Sequence, residues 1–512
     1  MDYPYLLVAA TAPLCWLGCI ALYRLFFHPL AKIPGPWLPA VTSLYSTYYD
    51  CFYQGGGQYP QKLKQLHAEH GPIIRPVPSE VHISDPEFLD AIYAMRDRNS
   101  CSAGGLMVDQ SVGLTEDYAL HRLRRDALNP YFSAKAVMDL QPILTSKADM
   151  LAAILSQHAE SKEPLNLSDA FFAFSNDILR SFSFGSDNGL LSELPEAHRQ
   201  REDLASLLMG VPLQSHFKTP MRFLGGSMTL LQGEPALPAA LREMLAFRAR
   251  ARQDIEAVLA DKANDRKGSG RSLFYELRDS SLPPHEKTVS RLQDEATLLV
   301  MAGTESPAKT LTIASFYMLS LPEVTRKLRG ELAEARKQAS GSKTSLNSLL
   351  VLPYLGAIIH EANRLSFGVT GRMRRYSPTQ TLTYTASYGP YKDTTYTLPP
   401  GTQMNTVTYC THTNEALFPD PWRFDPERWL GQSEEVNTRK RCMMAFGKGH
   451  RKCLGISLAN AAMCLALTAL AMYDMELFET DESDVKFKYD NQISQPKRDS
   501  KGVRASVRGR LE

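Results

Sequence analysis

The chain has 512 residues, 57 of them basic and 55 acidic, for a formal net charge of +2. With 44 % hydrophobic and 22 % charged residues it is neither disordered nor fibrous, and its balanced charge excludes a globally basic nucleic-acid binder. Cys15, Cys19, Cys51, Cys101, Cys410, Cys442, Cys453 and Cys464 are too sparse for a disulfide scaffold and lack the paired spacing of a zinc site, which points to a reducing compartment.

Residues 3–23 carry no charge and are rich in Leu, Val, Ile and Trp, and about 20 such residues span a bilayer core as a helix. Asp2 precedes this run, while Arg24, His28 and Lys32 follow it. The positive-inside bias therefore leaves the rest of the chain on the cytosolic side. A cleaved signal peptide would need a basic leading region, which is missing. Pro34-Gly35-Pro36 breaks any helix, so residues 24–40 read as a basic, proline-rich elbow between a 3–23 anchor and a body at 41–512.

Within the body, residues 71–86 read as short strands punctuated by prolines. Residues 115–370 are mainly helical in pattern, with polar stretches at 261–272 and 337–347 read as surface loops and a long helix expected over 290–320. Residues 381–410, rich in Thr, Tyr and Val and holding a Pro399-Pro400-Gly401 turn, read as strands. A proline-dense segment at 419–430 precedes an apolar helix expected over 454–473. No internal repeat is present. The composition describes one mainly α domain with a minor β part.

The sharpest chemical signal is "FGKGHRKCLG" at residues 446–455. Gly447, Gly449 and Gly455 allow the backbone to approach a flat ligand, and Cys453 stands just before an apolar helix whose amides favour a thiolate. Arg451 is placed to pair with a carboxylate. Upstream, "EANR" puts Glu361 and Arg364 at i and i+3 on one helix face, suited to a salt bridge, and "FDPERW" supplies Arg428. In the 290–320 helix, "ATLLVMAG" is apolar all round, the mark of a buried helix. Glu305 and Ser306 then set an acid and a hydroxyl into it, which costs energy unless they are paired or serve a site. Pro307 removes the amide that would bond the Gly303 carbonyl, so the helix is expected to open there. The plain alternative is a proline-kinked core helix.

Taken in order, these strings resemble the cytochrome P-450 family. Phe446, Gly447, Arg451, Cys453 and Gly455 match its haem-binding loop, which makes Cys453 the expected iron ligand. A thiolate on haem iron favours O–O cleavage. The resemblance implies that Arg428 completes a buried structural triad with Glu361 and Arg364, and that Glu305 and Ser306 hold the acid and hydroxyl positions of an oxygen-activating segment. The family usually has Thr where Ser306 stands and seldom a proline next. "HRLRR" sets His121 and Arg125 in the helix beside the haem, and "GRMRR" supplies Arg372, Arg374 or Arg375 for a haem propionate; a solvated basic face is the alternative for both clusters. The strings "FFHPLAKIPGP", "SDPEFLDAIY" and "HRLRRDALNPYFS" resemble fungal secondary-metabolite members, such as those acting on sesquiterpenes.

The resemblance, which covers essentially the whole chain, implies a single large haem domain of the cytochrome P-450 fold behind an N-terminal membrane helix, single-pass in the endoplasmic reticulum with its catalytic domain cytosolic. The implied cofactor is heme b. The implied reaction inserts one oxygen atom of O2 into a lipophilic small molecule, such as a terpenoid or polyketide. No GxGxxG stands between a strand and a helix, so electrons would come from a separate NADPH-cytochrome P-450 reductase. Arg439, Lys440, Arg441, Lys448 and Lys452 form the expected docking face for it. Leu298, Leu299, Met301 and Ala302 suggest an apolar wall, with 100–115 and 205–235 shaping the mouth. A haem-thiolate isomerase or dehydratase needing no reductase, and a non-catalytic haem-binding protein, are the alternatives; nucleic acid is not an expected partner.

Overall fold

The computed structural model of the chain describes residues 3–101, 106–217, 239–261, 272–338 and 345–511. Most of the polar stretches at 261–272 and 337–347, and much of 205–235, lie outside these. The organising element is the helix Val289–Ser320, started by the Thr288 hydroxyl, which accepts the Arg291 amide at 3.3 Å. It packs against the helices Leu167–Phe184, Ala239–Ala260, Pro353–Ser366 and Ile456–Ala471. The first of these is buried along nearly its whole length, polar residues included: Asp177 accepts the Leu190 amide at 2.9 Å and Asn176 donates to the Thr304 hydroxyl at 3.1 Å.

The expected opening at Pro307 does not occur: the helix runs unbroken through it. Gly303, the residue whose carbonyl loses its amide partner, lies against Leu179 so closely that a Cβ there would meet the leucine at 2.7 Å. Packing against the buried neighbour helix overrides the local preference of proline. The last apolar helix spans Ile456–Ala471, slightly inside the expected range.

The minor β part holds a sheet ordered Ile73–Val77, Glu80–Ile83, Gln403–Asn405, Arg375–Tyr376 and Asn99–Ser100. Glu80 aligns with Gln403 in a parallel pair, and Arg375 with Met404 in an antiparallel one. Of the expected 381–410 strand region, Leu382–Thr385 and Thr395–Leu398 form a hairpin, and the chain turns helical at Thr408–His412. A second sheet brings Leu165–Asn166, Arg504–Arg510 and Tyr473–Leu477 together.

At the N-terminus, Tyr3–Leu22 is a 20-residue helix with Leu14, Trp16, Leu17 and Leu22 exposed. Among the described residues no helix is long and apolar enough to cross a membrane, so the transmembrane helix expected at 3–23 does not enter the description of the fold. The elbow is pinned to the first strand: the Arg75 amide donates to the Pro34 carbonyl at 2.8 Å, and its guanidinium to the Arg24 carbonyl at 2.7 Å.

Two buried histidines tie that sheet to the helix Tyr59–His70. The Val407 amide donates to His82 Nε2 at 3.0 Å, so His82 Nδ1 donates to His67 Nε2 at 2.6 Å, and His67 Nδ1 donates to the Gly71 carbonyl at 2.7 Å. The bonds accepted by His82 Nε2 and His67 Nε2 require neutral rings, and burial lowers His67 to about 4 and His82 well below its ordinary 6.5. The unfolded chain therefore takes up protons that the folded one refuses. This contribution is complete above pH 6.5 and is lost as pH falls from there towards 4, at up to about 1.4 kcal/mol per pH unit for each ring. The melting temperature is expected to drop between pH 7 and pH 5, and less steeply in His67→Gln. Parallel curves for the two proteins would exclude this pair as the source.

Candidate functional site

Construction of the site begins at Glu361, fully buried on the helix Pro353–Ser366. Arg364 donates to its carboxylate through Nε at 2.9 Å and Nη2 at 2.8 Å, Arg428 Nε at 3.1 Å, and Trp429 Nε1 at 2.8 Å. The expected trio thus forms one network, with Trp429 as a member that the sequence reading missed. Arg364 also donates to the carbonyls of His412 and Pro421 at 2.9 and 2.6 Å. His412 in turn accepts the Met444 amide on Nε2 at 3.0 Å. Two residues later the chain enters the cysteine loop. The buried charges therefore bear on the loop's backbone.

Within that loop Gly447 adopts φ +66°, its amide donates to the Met444 carbonyl, and the Cys453 amide donates to the Phe446 carbonyl at 2.8 Å. This folds residues 446–453 into a turn ahead of the helix Ile456–Ala471. Cys453 lies deep in the fold, yet its side chain is open on one side. Burial pushes its thiol up, opposed by the Gly455 amide, Arg125 and Lys452. The stabilised thiolate expected from the helix start is thus outweighed by burial, and coordination to a metal would supply the deprotonation.

Arg451, expected to pair with a carboxylate, instead donates to the backbone carbonyls of Thr115 and Glu116 at 2.5 and 2.8 Å. Around it gather His121, Arg125 and Arg375. Burial first, and Arg375 next, bring Arg451 down to about 9; burial and Arg451 bring His121 to about 3. Burial also lowers Arg125 and Arg375. No carboxylate is hydrogen-bonded to these three arginines among the described residues, and His121 Nδ1 and Arg451 Nε are buried without a partner. A buried cluster of cations with orphaned donors is costly unless an anion completes it. The two propionates of a haem fit this requirement.

The three candidate arginines of "GRMRR" separate. Arg375 joins the cluster, over the Tyr93 ring at 5.5 Å. Arg372 turns away to Glu80, at 3.4 Å, and to the face of Tyr59, so its assignment to a propionate is corrected. Arg374 lines the same cavity as Arg372, one that Arg375 does not line. A turn closed by the Arg374 amide, which donates to the Arg372 carbonyl at 3.0 Å, precedes the strand Arg375–Tyr376 and separates Arg375 from Arg372 and Arg374.

On the central helix, Ala302 and Ser306 are exposed although Met301, Thr304 and Ala308 around them are buried. Of the expected apolar wall, Ala302 is open, Leu298 lies against Gly113, and Met301 turns into the core. Glu305 diverges from Ser306, because successive residues point about 100° apart on a helix. It lines a cleft of about 160 Å³ with Arg201, Glu202, Lys309 and Asp484. Burial raises the Glu305 carboxyl against the pull of Lys309 and Arg201, and burial lowers Lys309 to about 8. The acid and the hydroxyl thus face different spaces, not one shared gap.

The family model described as Cytochrome P450 matches residues 51–500. The chain belongs to the cytochrome P450 family. It is 34 % identical over 493 residues to the cytochrome P450 monooxygenase TRI4 of Trichoderma arundinaceum, covering 94 % of this chain and 91 % of that one. Similarity of 32 % to the cytochrome P450 monooxygenase pbrB of Penicillium brasilianum covers 95 % and 94 %. Tryptophan 6-hydroxylase fscE of Fusarium equiseti is 33 % identical, over 96 % of this chain and 95 % of its own. As a cytochrome P450 the chain is a haem-thiolate monooxygenase, and its family binds haem b through a cysteine thiolate. The open Cys453 and the cation cluster are the parts of this P450 that suit that cofactor.

The basic face expected around the cysteine loop is smaller than the sequence suggested. Lys448 pairs with Asp90 at 2.9 Å, and Arg439 donates to the Leu417 carbonyl and sits 3.6 Å from Glu435. Lys440, Arg441 and Lys452 are exposed. A residue-by-residue test of the cluster follows from the split at 372–375. Arg375→Met is expected to weaken haem retention by at least about tenfold, the cost of one desolvated ion pair, while Arg372→Met leaves it near normal. Haem transfer to excess apomyoglobin measures both. Equal losses in the two variants would contradict the division.

Proposed function

We propose that this P450 is a membrane-anchored monooxygenase of fungal secondary metabolism that inserts one oxygen atom of O2 into a lipophilic small molecule, with electrons from a separate NADPH-dependent reductase. The observation that carries the reading is the open Cys453 beside His121, Arg125, Arg375 and Arg451, with none of the three arginines hydrogen-bonded to a carboxylate among the described residues and with His121 Nδ1 and Arg451 Nε buried without a partner. In it, Cys453 ligates the haem iron, and His121, Arg125, Arg375 and Arg451 hold the propionates. Bound there, haem supplies dioxygen activation. Ser306 Oγ, open on the central helix, holds a proton towards the haem side. Glu305, beside Lys309 in its solvent-reaching cleft, exchanges protons with water on the other side of that helix.

The exposed apolar residues of Tyr3–Leu22 and the flanking Arg24 support the anchor and a cytosolic body, and the similarity to fungal monooxygenases supports the pathway type. Lys440, Arg441 and Lys452 support docking of an acidic reductase, an attraction that salt weakens over about 8 Å at physiological ionic strength. Turnover by the full chain in a membrane fraction, with added reductase, tests the reading. Losing a positioned proton donor lowers the assisted step on the order of 10²-fold or more. Ser306→Ala is therefore expected to keep consuming NADPH while most electrons appear as peroxide, and Ser306→Thr to stay coupled. Product formed per NADPH, with peroxide assayed in parallel, decides it. Unchanged coupling in Ser306→Ala would remove the hydroxyl from the proton route.

A further inference from the structure

The cysteine loop holds a titratable side chain that the site above leaves unused. Gly449 passes so close to residues 93–94 that a Cβ there would meet the Tyr93 carbonyl and, at 2.6 Å, the Ala94 carbonyl. That approach sets the next side chain, His450, with Nδ1 3.1 Å from the Ala94 carbonyl. Its half-buried ring stands edge-on to Tyr118, with centroids 4.8 Å apart, and to His121, at 5.4 Å. Its other nitrogen, Nε2, is buried without a hydrogen-bond partner.

The proton on this ring follows from its partners. A carbonyl only accepts, so Nδ1 carries the hydrogen, and a neutral ring leaves Nε2 a bare acceptor. Burial first, then Arg451, Arg375 and Arg125, bring His450 down to about 4. Tyr118, His121 and Arg125 face it from the helix Tyr118–Leu128, Arg375 from its strand and Arg451 from its own loop. The nearby anions Asp117 and Glu116 act on Arg451. The charged groups that keep the ring neutral are therefore cations. A neutral Nε2 and a carboxylate are both acceptors and do not bond. Carboxylates are nevertheless what this cluster lacks, and two of them set among its cations would reverse the field at the ring.

We propose that His450 is a further haem-binding residue, which takes a proton from water on Nε2 as haem seats and donates a charged hydrogen bond to a propionate, so that haem retention is linked to pH through this side chain. The balance is one proton taken up at this ring for each haem bound and one returned when haem leaves. A ligand that raises a group's affinity for protons is itself held more tightly as pH falls. The contribution of His450 is therefore full below its raised value and is lost as pH rises through it. Bonds of this kind are about twice as strong as neutral ones. The inference rests on the haem assignment of the Cys453 site, and its test is chosen to fail separately from that assignment.

Haem transfer from the full-chain holoenzyme to excess apomyoglobin, followed from about pH 6 to about pH 8.5, spans the range in which histidine titrates. His450→Phe keeps a flat ring against Tyr118 and His121 and removes Nε2, while His450→Gln offers an amide donor that does not titrate. Protonation of the Cys453 thiolate on release, and any titration of His121, are common to all three proteins, so ratios of their rates isolate His450. A hydrogen bond to a charged group is worth about tenfold or more. His450→Phe is expected to lose haem on the order of tenfold faster than the parent near pH 6 and within about twofold of it near pH 8.5. His450→Gln is expected to lose haem faster than the parent at the acid end and more slowly at the alkaline end, a crossing that stands on its own if His450→Phe fails to load haem. Rate ratios that stay constant across the range, or that equal one throughout, would overturn the proposal. A parent holoenzyme lacking the thiolate Soret band of its reduced carbon monoxide complex would instead overturn the haem assignment beneath it.

Discussion

A carboxylate with no exposure to water cannot remain charged unless donors surround it, and in this chain the Glu361 carboxylate is met by Arg364, Arg428, Trp429 and the Asp425 amide. Those donors come from two separate stretches of sequence, so the network can form only when the helix Pro353–Ser366 and the proline-dense segment at 419–430 are in register. Removing one partner from such a buried pair typically costs about 3–5 kcal/mol. The strain of a broken network would reach the cysteine loop by a short path, through the Arg364 bond to the His412 carbonyl and the His412 bond to the Met444 amide. The geometry around Cys453 depends on a salt bridge that performs no chemistry.

The opposite imbalance exists on the other side of the loop. At Glu361 the carboxylate has donors on both oxygens; around Arg451 cations gather with buried donors left over. Structural charge networks are closed, whereas an incomplete one marks where a ligand of opposite sign belongs. The central helix divides its two polar residues similarly. Ser306 is exposed and lies outside the cleft that Glu305 lines with Lys309.

The fold class and the order of the motifs were legible because they rest on periodicity and on strings whose spacing carries chemistry: the helix expected over 290–320 spans Val289–Ser320, and Glu361, Arg364 and Arg428 meet as their motifs imply. What was hidden depends on where distant segments return. His412 and Trp429 gave no signal of their own, since their role is set by the path of the chain after the strands. Arg372 and Arg375 could not be told apart without the turn between them, which the Arg374 amide closes on the Arg372 carbonyl. Pro307 predicts a break that packing against Leu179 suppresses, and Lys448 looked free because Asp90 lies far away in sequence. Glu305 and Ser306 are adjacent letters, and adjacency on a helix means divergence.

The central claim is that Cys453 is the ligand for which the loop, the network and the cation cluster are arranged. The absorption spectrum of the reduced, carbon-monoxide-bound holoenzyme tests it most directly. The account requires the red-shifted Soret band of a thiolate-ligated haem in the parent, and its loss in Cys453→Ala with haem still held by the cation cluster. A Cys453→Ala protein that keeps that band would contradict it.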